Sequence, residues 1–281
     1  MRQKIQWTAA ALSLLFLLGS CTVDAGDIVV VTREEGSGTR AAMTQLLDFG
    51  ADMDITPRAE VVGSNAVMLL SVLGYDRAIG YVSAGAMGKD VKSVSIDGVS
   101  PTQENIRSGT YPMKRSFLFV TNDNIHAAAQ DFIRFSCSPA GAALISDAGY
   151  VPLEGGDAYI PSGISGKVVL AGSTSVAPVV EFLADAYTEI NPDVHIEVQQ
   201  TGSSAGISSV LEGVADIGMS SRELTDTERG SGLTDTIVAY DGIAVIVHET
   251  SPVTDLSIGQ VRGIFSGDIT KWQTVYDAQE G

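Results

Sequence analysis

Three short turns rich in glycine and hydroxyl residues place the strongest constraint on how this chain can fold. The first, "TREEGSGTR" at residues 32–40, follows an apolar run and contains Arg33 and Arg40 at its ends. The same pattern returns in "VVLAGSTSVAP" at 168–178 and in "VQQTGSSAGI" at 198–207. Each turn follows a β-branched run and precedes a helical pattern, which predicts repeated strand–turn–helix units. We refer to them as the GSGT, GSTS and GSSAG turns.

Turns of this kind favour an anion. The first N–H groups of a helix have no partner within it and the helix dipole is positive there, so an anion can bind. Glycine lets the backbone approach a ligand closely, and serine or threonine hydroxyls add hydrogen bonds. One such turn is more often only a helix cap. Three turns, with Arg33 beside one of them, predict an anion held by neutral dipoles and one arginine.

Other chemistry is weakly represented in the sequence. It contains neither a Walker motif nor a dinucleotide fingerprint at a strand–helix junction, which disfavours nucleotides. The three histidines, His126, His195 and His248, have no metal-ligand spacing. Acidic residues outnumber basic ones by 34 to 17, and this balance argues against nucleic acid as a partner. We therefore predict a binding protein with no catalytic residue, metal or cofactor.

The alternation of β-branched runs and helical patterns predicts an α/β fold with largely parallel sheets. The predicted strands are 28–32, 58–62, 78–82, 116–121, 167–171, 195–199, 217–219 and 243–248. The predicted helices are 40–49, 66–73, 125–136, 140–148, 177–190 and 206–212. A segment with scattered glycine and proline, 151–166, has no period and predicts a linker. It separates a half that carries the GSGT turn from a half that carries the other two.

Residues 1–20 predict an export signal rather than part of the fold. Arg2 and Lys4 form a basic start, and the apolar stretch at 8–18 is too short to span a bilayer comfortably. The small residues before Cys21 resemble a bacterial lipobox, in which Cys21 would be lipidated. The alternative is a plain signal peptide with an incidental cysteine. We expect the chain on the extracytoplasmic face of the cell envelope, attached to the membrane only through a lipid.

Longer segments resemble the phosphate-binding proteins that serve phosphate ABC transporters, a family with the type II periplasmic-binding-protein fold. The resemblance covers nearly all of 27–275 and includes "GSTSVAPVVEFLADAYTEI", "IGQVRGIFSGDITKW", "IVVVTREEGSGTRAAM" and "FIRFSCSPAGAALISDAGYVPL". It implies two α/β lobes of mixed sheets flanked by helices, which close on a ligand around a hinge of two crossing strands.

The order of these segments differs from the family's order. In the family the GSTS segment comes first and the GSGT segment follows "ITKW", whereas here the chain ends soon after Trp272 and opens with the GSGT segment. This order predicts a circular permutation in which 151–166 bridges the usual termini, an arrangement that folds tolerate when those termini lie close together. A fragment of a tandem duplication and a misassembled gene model are the alternatives.

The resemblance also implies the boundaries of the lobes. One lobe carries the GSGT turn and comprises 27–112 with 250–281. The other carries the GSTS and GSSAG turns and comprises 122–240, including the linker. The hinge strands lie near 113–121 and 241–249.

Carried over residue by residue, the resemblance implies a phosphate site built from both lobes. Its residues are Thr174, Ser175, Ser203, Ser221, Arg33, Ser37, Gly38 and Thr39. Some members of the family have an aspartate at the position of Ser221, where it accepts the proton of hydrogen phosphate and repels sulfate. A serine lacks that charge, so discrimination against sulfate is less secure than affinity. Glu223 or another acid is a candidate for the missing acceptor.

These observations predict a lipid-anchored receptor, not an enzyme, that binds inorganic phosphate outside the cytoplasmic membrane and delivers it to an ABC permease. Close competitors are a receptor for sulfate or molybdate and a phosphate-sensing surface protein without a transport role. More distant ones are an enzyme acting on phosphoesters and a chain that has lost its binding function.

Overall fold

A computed structural model of the chain describes residues 26–50 and 53–280. The predicted export signal and Cys21 lie outside the described residues. Within them, the strands are β1 (Val29–Arg33), β2 (Glu60–Val62), β3 (Ala78–Ser83), β4 (Lys92–Ser93), β5 (Ser95–Ile96), β6 (Lys114–Asn122), β7 (Val151–Pro152), β8 (Gly166–Gly172), β9 (Val194–Gln200), β10 (Ile217–Ser220), β11 (Leu233–Val247) and β12 (Asp255–Leu256). The α-helices are α1 (Gly38–Leu46), α2 (Asn65–Gly74), α3 (Gln103–Ser108), α4 (Ala127–Ser136), α5 (Pro139–Asp147), α6 (Ala177–Ile190), α7 (Ser203–Leu211), α8 (Asp226–Gly230), α9 (Ile258–Ser266) and α10 (Trp272–Glu280).

Most of the strands form one mixed sheet. Its order is β2-β1-β3-β11-β6-β10-β8-β9, with β4 and β7 attached to β11. Strand β1 is parallel to β2 and β3, and β8 is parallel to β9 and β10. Strand β11 is antiparallel to both β3 and β6. The prediction of a mixed α/β fold flanked by helices is confirmed.

Strands β6 and β11 join the two ends of this sheet. The first part of β11 pairs with β6, and its last residues, Ile243–Val247, pair with β3. The strand predicted at 243–248 therefore begins too late in the sequence, because β11 begins at Leu233. A register shift between Ile237 and Ala239 interrupts the apolar alternation there. The sequence pattern alone therefore does not show that the residues on both sides of the shift belong to one strand.

Buried apolar side chains fall into two groups by their position in the chain. One group is drawn from residues 30–113 and 243–275, together with Val151. The other is drawn from residues 117–239. Each group supplies its own hydrophobic core, as expected for separate folding units. The boundaries of the two lobes stay a prediction.

Each of the three turns joins a strand to a helix. The GSGT turn leads from β1 into α1, where Ser37 caps the helix. The GSTS turn leads from β8 into α6, and Pro178 occupies the first helical turn, where its missing N–H is not needed. The GSSAG turn leads from β9 into α7 through Gly202, whose φ of 90° favours glycine. These local units agree with the predicted strand–turn–helix pattern.

The predicted linker contains no helix or strand between β7 and β8, and its middle is attached to the neighbouring helices. Asp131 of α4, only 4% exposed, accepts hydrogen bonds from Tyr159 Oη at 2.5 Å and from Ser162 Oγ at 3.0 Å. Tyr187 of α6 donates to the same carboxylate at 2.8 Å. The segment is thus packed onto α4 and α6.

Four helices were not predicted from the sequence, namely α3, α8, α9 and α10. The start of α9 carried a usable signal, because Ser257 and Gln260 form a capping box. Helices α3 and α8 are too short to establish a helical period. Every helix among the described residues is too short or too polar to cross a membrane.

Candidate oxyanion-binding site

Arg33 is the cation at the centre of the candidate site. It ends β1, and its side chain is 1% exposed. Its guanidinium donates two hydrogen bonds of 2.9 Å to Glu34, one of 3.2 Å to Asn65 Oδ1 and one of 3.3 Å to Gly63 O. Nη2 also donates to Thr174 Oγ1 at 3.2 Å. These partners hold the charge in one orientation, beside the GSTS turn.

The hydroxyl groups of the three turns meet beside this arginine. Thr39 Oγ1 and Ser175 Oγ are 2.8 Å apart. Ser203 Oγ lies 3.4 Å from Ser221 Oγ and accepts a hydrogen bond from Ser221 N at 3.2 Å. Ser173, which the sequence analysis did not single out, donates to Ser221 Oγ at 2.9 Å. All five side chains are buried, so these hydroxyls form one polar cluster shielded from water.

The backbones of the GSGT and GSSAG turns lie directly against each other. Ser204 N donates to Gly36 O at 3.1 Å. A Cβ placed on Gly38 would lie 2.2 Å from Ser203 Oγ and 2.6 Å from Ser221 Oγ. Glycine is therefore required at this position for the two turns to approach as they do.

Ser37 has a different set of contacts from the other predicted residues. It is buried, and its Oγ accepts a hydrogen bond from Arg40 N at 3.4 Å as the cap of α1. The remaining predicted residues contact members of another turn or of the β10 end. The structure thus brings together Arg33, Gly38, Thr39, Thr174, Ser175, Ser203 and Ser221.

Three more residues of this network were missed by sequence reasoning, namely Asn65, Arg115 and Asp241. Arg115 and Asp241 carried a signal, because they are charged residues in otherwise apolar crossing strands and a buried charge needs a partner. Burial raises the pKa of the Asp241 carboxyl, and the guanidinium of Arg115 acts in the opposite direction. Asn65 was overlooked because "VGSNAV" resembles an ordinary helix start.

The carboxylates near the cluster are already engaged by arginines. Glu34 accepts both of its hydrogen bonds from Arg33, and Asp241 accepts from Arg115. Glu223, the acceptor suggested by the sequence, is exposed and lies 3.6 Å from Arg229. Within the described residues, the groups hydrogen-bonded to Ser221 are serines, and the role of Glu223 or another acid as the acceptor stays a prediction.

The segment after Ser221 is supported by an ion pair. Arg222 donates to the two carboxylate oxygens of Glu228 at 2.8 and 2.7 Å and to Ser204 Oγ at 3.2 Å. Arg222 is 12% and Glu228 19% exposed, so water screens this pair only in part. The bidentate pair therefore ties the β10 end to the GSSAG turn.

Acid is expected to weaken this support. The hydrogen bonds from Arg222 lower the pKa of Glu228 to about 2, compared with about 4.3 in an unfolded chain. The stabilisation is therefore fully present above the unfolded value and is lost as the pH falls through the folded value. Replacing Glu228 with glutamine should remove roughly 1–2 kcal/mol of the free energy of unfolding at pH 7, and less at pH 3. Urea unfolding of both proteins at the two pH values checks this, and an equal difference at both would contradict it.

The GSSAG segment also fits the G-x-S-x-G pattern of hydrolase nucleophiles, with Ser204 at its centre. Ser204 Oγ accepts a hydrogen bond from Arg222. Two of the three histidines have other partners, because His126 pairs with Asp216 and His248 bonds to Thr250. Among the described residues, no group of three or more His, Cys, Asp or Glu side chains is arranged to hold a metal ion.

One cavity formed by the described residues lies away from the three turns. Its volume is about 510 Å³, and its lining includes Ile28, Arg58, Ile264 and Thr270. Among the described residues, Arg58 is the one cation that lines it. The polar cluster of the three turns is a better candidate for an oxyanion, because a buried arginine, hydroxyls and helix N-termini converge there.

The chain is similar to known phosphate-binding proteins. The sequence profile described as a PBP superfamily domain matches residues 6–140 and 157–281. The phosphate-binding protein PstS 2 of Streptococcus agalactiae serotype V is 43% identical over 269 residues, which cover 91% of this chain and 92% of that protein. PstS 2 of Streptococcus pneumoniae serotype 4 is 39% identical over 257 residues, covering 89% and 88%.

A solved structure gives the same result. The crystal structure of a phosphate-binding protein of a phosphate ABC transporter from Streptococcus pneumoniae TIGR4 superposes with a TM-score of 0.72 at 39% identity. The match covers 89% of this chain and 99% of that one. The fold is therefore the type II periplasmic-binding-protein fold, and the chain belongs to the family of phosphate-binding proteins of ABC transporters within the PBP superfamily.

Proposed function

We propose that this protein is an extracytoplasmic receptor that binds inorganic phosphate among the three turns and delivers it to an ABC permease. The observation that carries the proposal is the contact of Arg33 with Thr174 beside the buried hydroxyls of Thr39 and Ser175. One cation and several hydroxyl and backbone donors suit a tetrahedral oxyanion. The names of the relatives, which are phosphate-binding proteins, support the same ligand.

The proposed ligands of phosphate are the residues predicted from the sequence. They are Arg33, Ser37, Gly38, Thr39, Thr174, Ser175, Ser203 and Ser221. These residues come from distant parts of the chain that belong to different hydrophobic cores. A bound anion would therefore hold the two parts together, which shifts the population toward the closed arrangement.

Sulfate is the competing ligand, and a specific observation favours it. Sulfate carries no proton, so a site that rejects it needs an acceptor that repels its fully ionised oxygens. Ser221 is neutral, and Glu34 is bound to Arg33. Calorimetric titration with phosphate and then with sulfate distinguishes the two ligands. Tight binding of phosphate alone supports the proposal, and tight binding of sulfate alone would overturn it in favour of a sulfate receptor.

Two threonines test whether the ligand is held from both sides. Replacing Thr39 or Thr174 with valine removes a hydroxyl while keeping the shape of the side chain. Each change should weaken phosphate binding about tenfold, which corresponds to one hydrogen bond to a charged group. Thr44→Val in α1 and Thr188→Val in α6 are matched controls and should leave the affinity unchanged. Calorimetry of the four variants checks this, and an effect of only one site variant would contradict a clamp with two sides.

The remaining proposals concern the ends and the order of the chain. We propose that Cys21 is lipidated after removal of an export signal. We also propose that the segments of the chain are circularly permuted. In addition, we propose that the protein acts as a receptor without enzymatic activity. Mass spectrometry of the protein from membranes tests the first point. An unmodified Cys21 in the mature protein would overturn it.

A further inference from the structure

A buried ion pair lies between the two crossing strands, next to the candidate site. Arg115 of β6 and Asp241 of β11 are cross-strand partners. Their side chains are 4% and 1% exposed, and Arg115 Nε and Nη2 donate to Asp241 Oδ2 at 3.0 and 2.8 Å. Placing two charges in the core costs free energy of desolvation. Apolar residues of similar volume often stabilise a fold at least equally well. The contact of the third guanidinium nitrogen, Arg115 Nη1, suggests why an arginine occupies this position.

That nitrogen reaches the candidate site. Arg115 Nη1 donates to Thr39 Oγ1 at 2.8 Å. A guanidinium can only donate hydrogen bonds, so Thr39 Oγ1 must accept from it. The single proton of the threonine hydroxyl must then point away from Arg115, either to Ser175 Oγ at 2.8 Å or to a ligand.

Asn65 acts on Ser175 in the same way. Its Oδ1 faces Arg33 Nη1 at 3.2 Å, and because arginine has no acceptor this atom must be the carbonyl oxygen of the amide. The amide nitrogen therefore donates to Ser175 Oγ at 3.0 Å. The serine hydroxyl, like that of Thr39, accepts from a fixed donor and keeps its own proton for another partner.

Counting protons then gives a definite result. Thr39 and Ser175 have one hydroxyl proton each, and the 2.8 Å bond between them uses only one. The other proton is free to be donated to a ligand. We propose that Arg115 and Asn65 are positioning residues that leave one hydroxyl proton of the Thr39–Ser175 pair to be donated to the bound anion. This inference rests on the function proposed above and deepens it.

The arrangement specifies the kind of oxygen that binds at this edge of the site. An oxygen that carries a proton would meet a donor there and would leave its own proton unpaired. The edge formed by Thr39 and Ser175 thus selects an unprotonated oxygen. Hydrogen phosphate has three such oxygens, so its proton must lie elsewhere in the site.

A double-mutant cycle tests the route from Arg115 through Thr39. The four proteins are the unmodified chain, Arg115→Lys, Thr39→Val and the double variant, each titrated calorimetrically with inorganic phosphate. Lysine keeps a cation for Asp241 but has one nitrogen and cannot hold both partners as the planar fork does. Arg115→Lys should weaken binding about tenfold in the unmodified chain and less than about twofold in the Thr39→Val background. Arg107→Lys, on the exposed side of α3, is the matched control.

The outcomes are distinct. Equal losses in both backgrounds would show that Arg115 acts through general structure, and this would overturn the inference while leaving the proposed function in place. Absence of phosphate binding by the unmodified chain would overturn both. If thermal unfolding shows that Arg115→Lys does not fold, the cycle of Asn65→Ala with Ser175→Ala replaces it. There too, non-additive losses support the inference and additive losses contradict it.

Discussion

Replacing Gly38 with alanine is expected to lower the affinity for phosphate at least a hundredfold. The added Cβ would lie 2.2 Å from Ser203 Oγ and 2.8 Å from Ser203 Cβ. The hydroxyl could rotate away, but Ser203 Cβ is fixed to the backbone of α7, so the turns would have to separate. An anion held between them would lose the donors of one side, each a charge-assisted hydrogen bond of about 1.5–3 kcal/mol.

Calorimetry measures this effect, and Gly74→Ala is the matched control. Gly74 ends α2, and a Cβ there meets no atom within 4 Å. We expect the control to bind phosphate as the unmodified chain does. The free energy of unfolding of Gly38→Ala without phosphate should change little, since the clash is relieved when the turns move apart. Near-normal affinity of Gly38→Ala would mean that the turns do not close on the ligand.

Replacing Arg33 with alanine is expected to weaken phosphate binding at least tenfold while the protein remains folded. Arg33 is the cation that contacts the GSTS turn, at 3.2 Å from Thr174 Oγ1. Its removal takes away a charge-assisted donor to the anion. It also frees Glu34, a carboxylate that is 33% exposed and would repel an anion.

The control for this variant is Arg107→Ala, which changes the net charge equally at an exposed position of α3. Circular dichroism and thermal unfolding establish that both variants fold. Unchanged phosphate affinity in Arg33→Ala would remove Arg33 from the site. A similar loss in both variants would mean that only the overall charge matters.

The strand–turn–helix units could be predicted because their signals are local. Each turn has its glycine, its hydroxyls and a flanking β-branched run within about a dozen residues, and the resemblance to the family linked the units into one site. Helix α6 was predicted with the bounds that the structure gives, Ala177–Ile190. Its apolar period is long enough to outweigh neighbouring signals.

The positioning residues Arg115 and Asn65, and Asp241 as the partner of Arg115, could not be predicted. Their contacts connect distant parts of the chain. Arg115 and Asp241 are 126 positions apart, and Arg115 reaches Thr39 across 76 positions. A charged residue in an apolar strand indicates that a partner exists, but only the register of β6 and β11 identifies it. The same limit applies to Asn65, whose amide is placed by the approach of α2 to the GSTS turn.

The central claim is that one phosphate binds where the three turns meet, and a crystal structure of the protein grown with phosphate tests it most directly. We predict a phosphate whose oxygens lie within hydrogen-bond distance of Arg33, Thr39, Thr174 and Ser203. Phosphate bound only elsewhere, for example beside Arg58 in the 510 Å³ cavity, would contradict it.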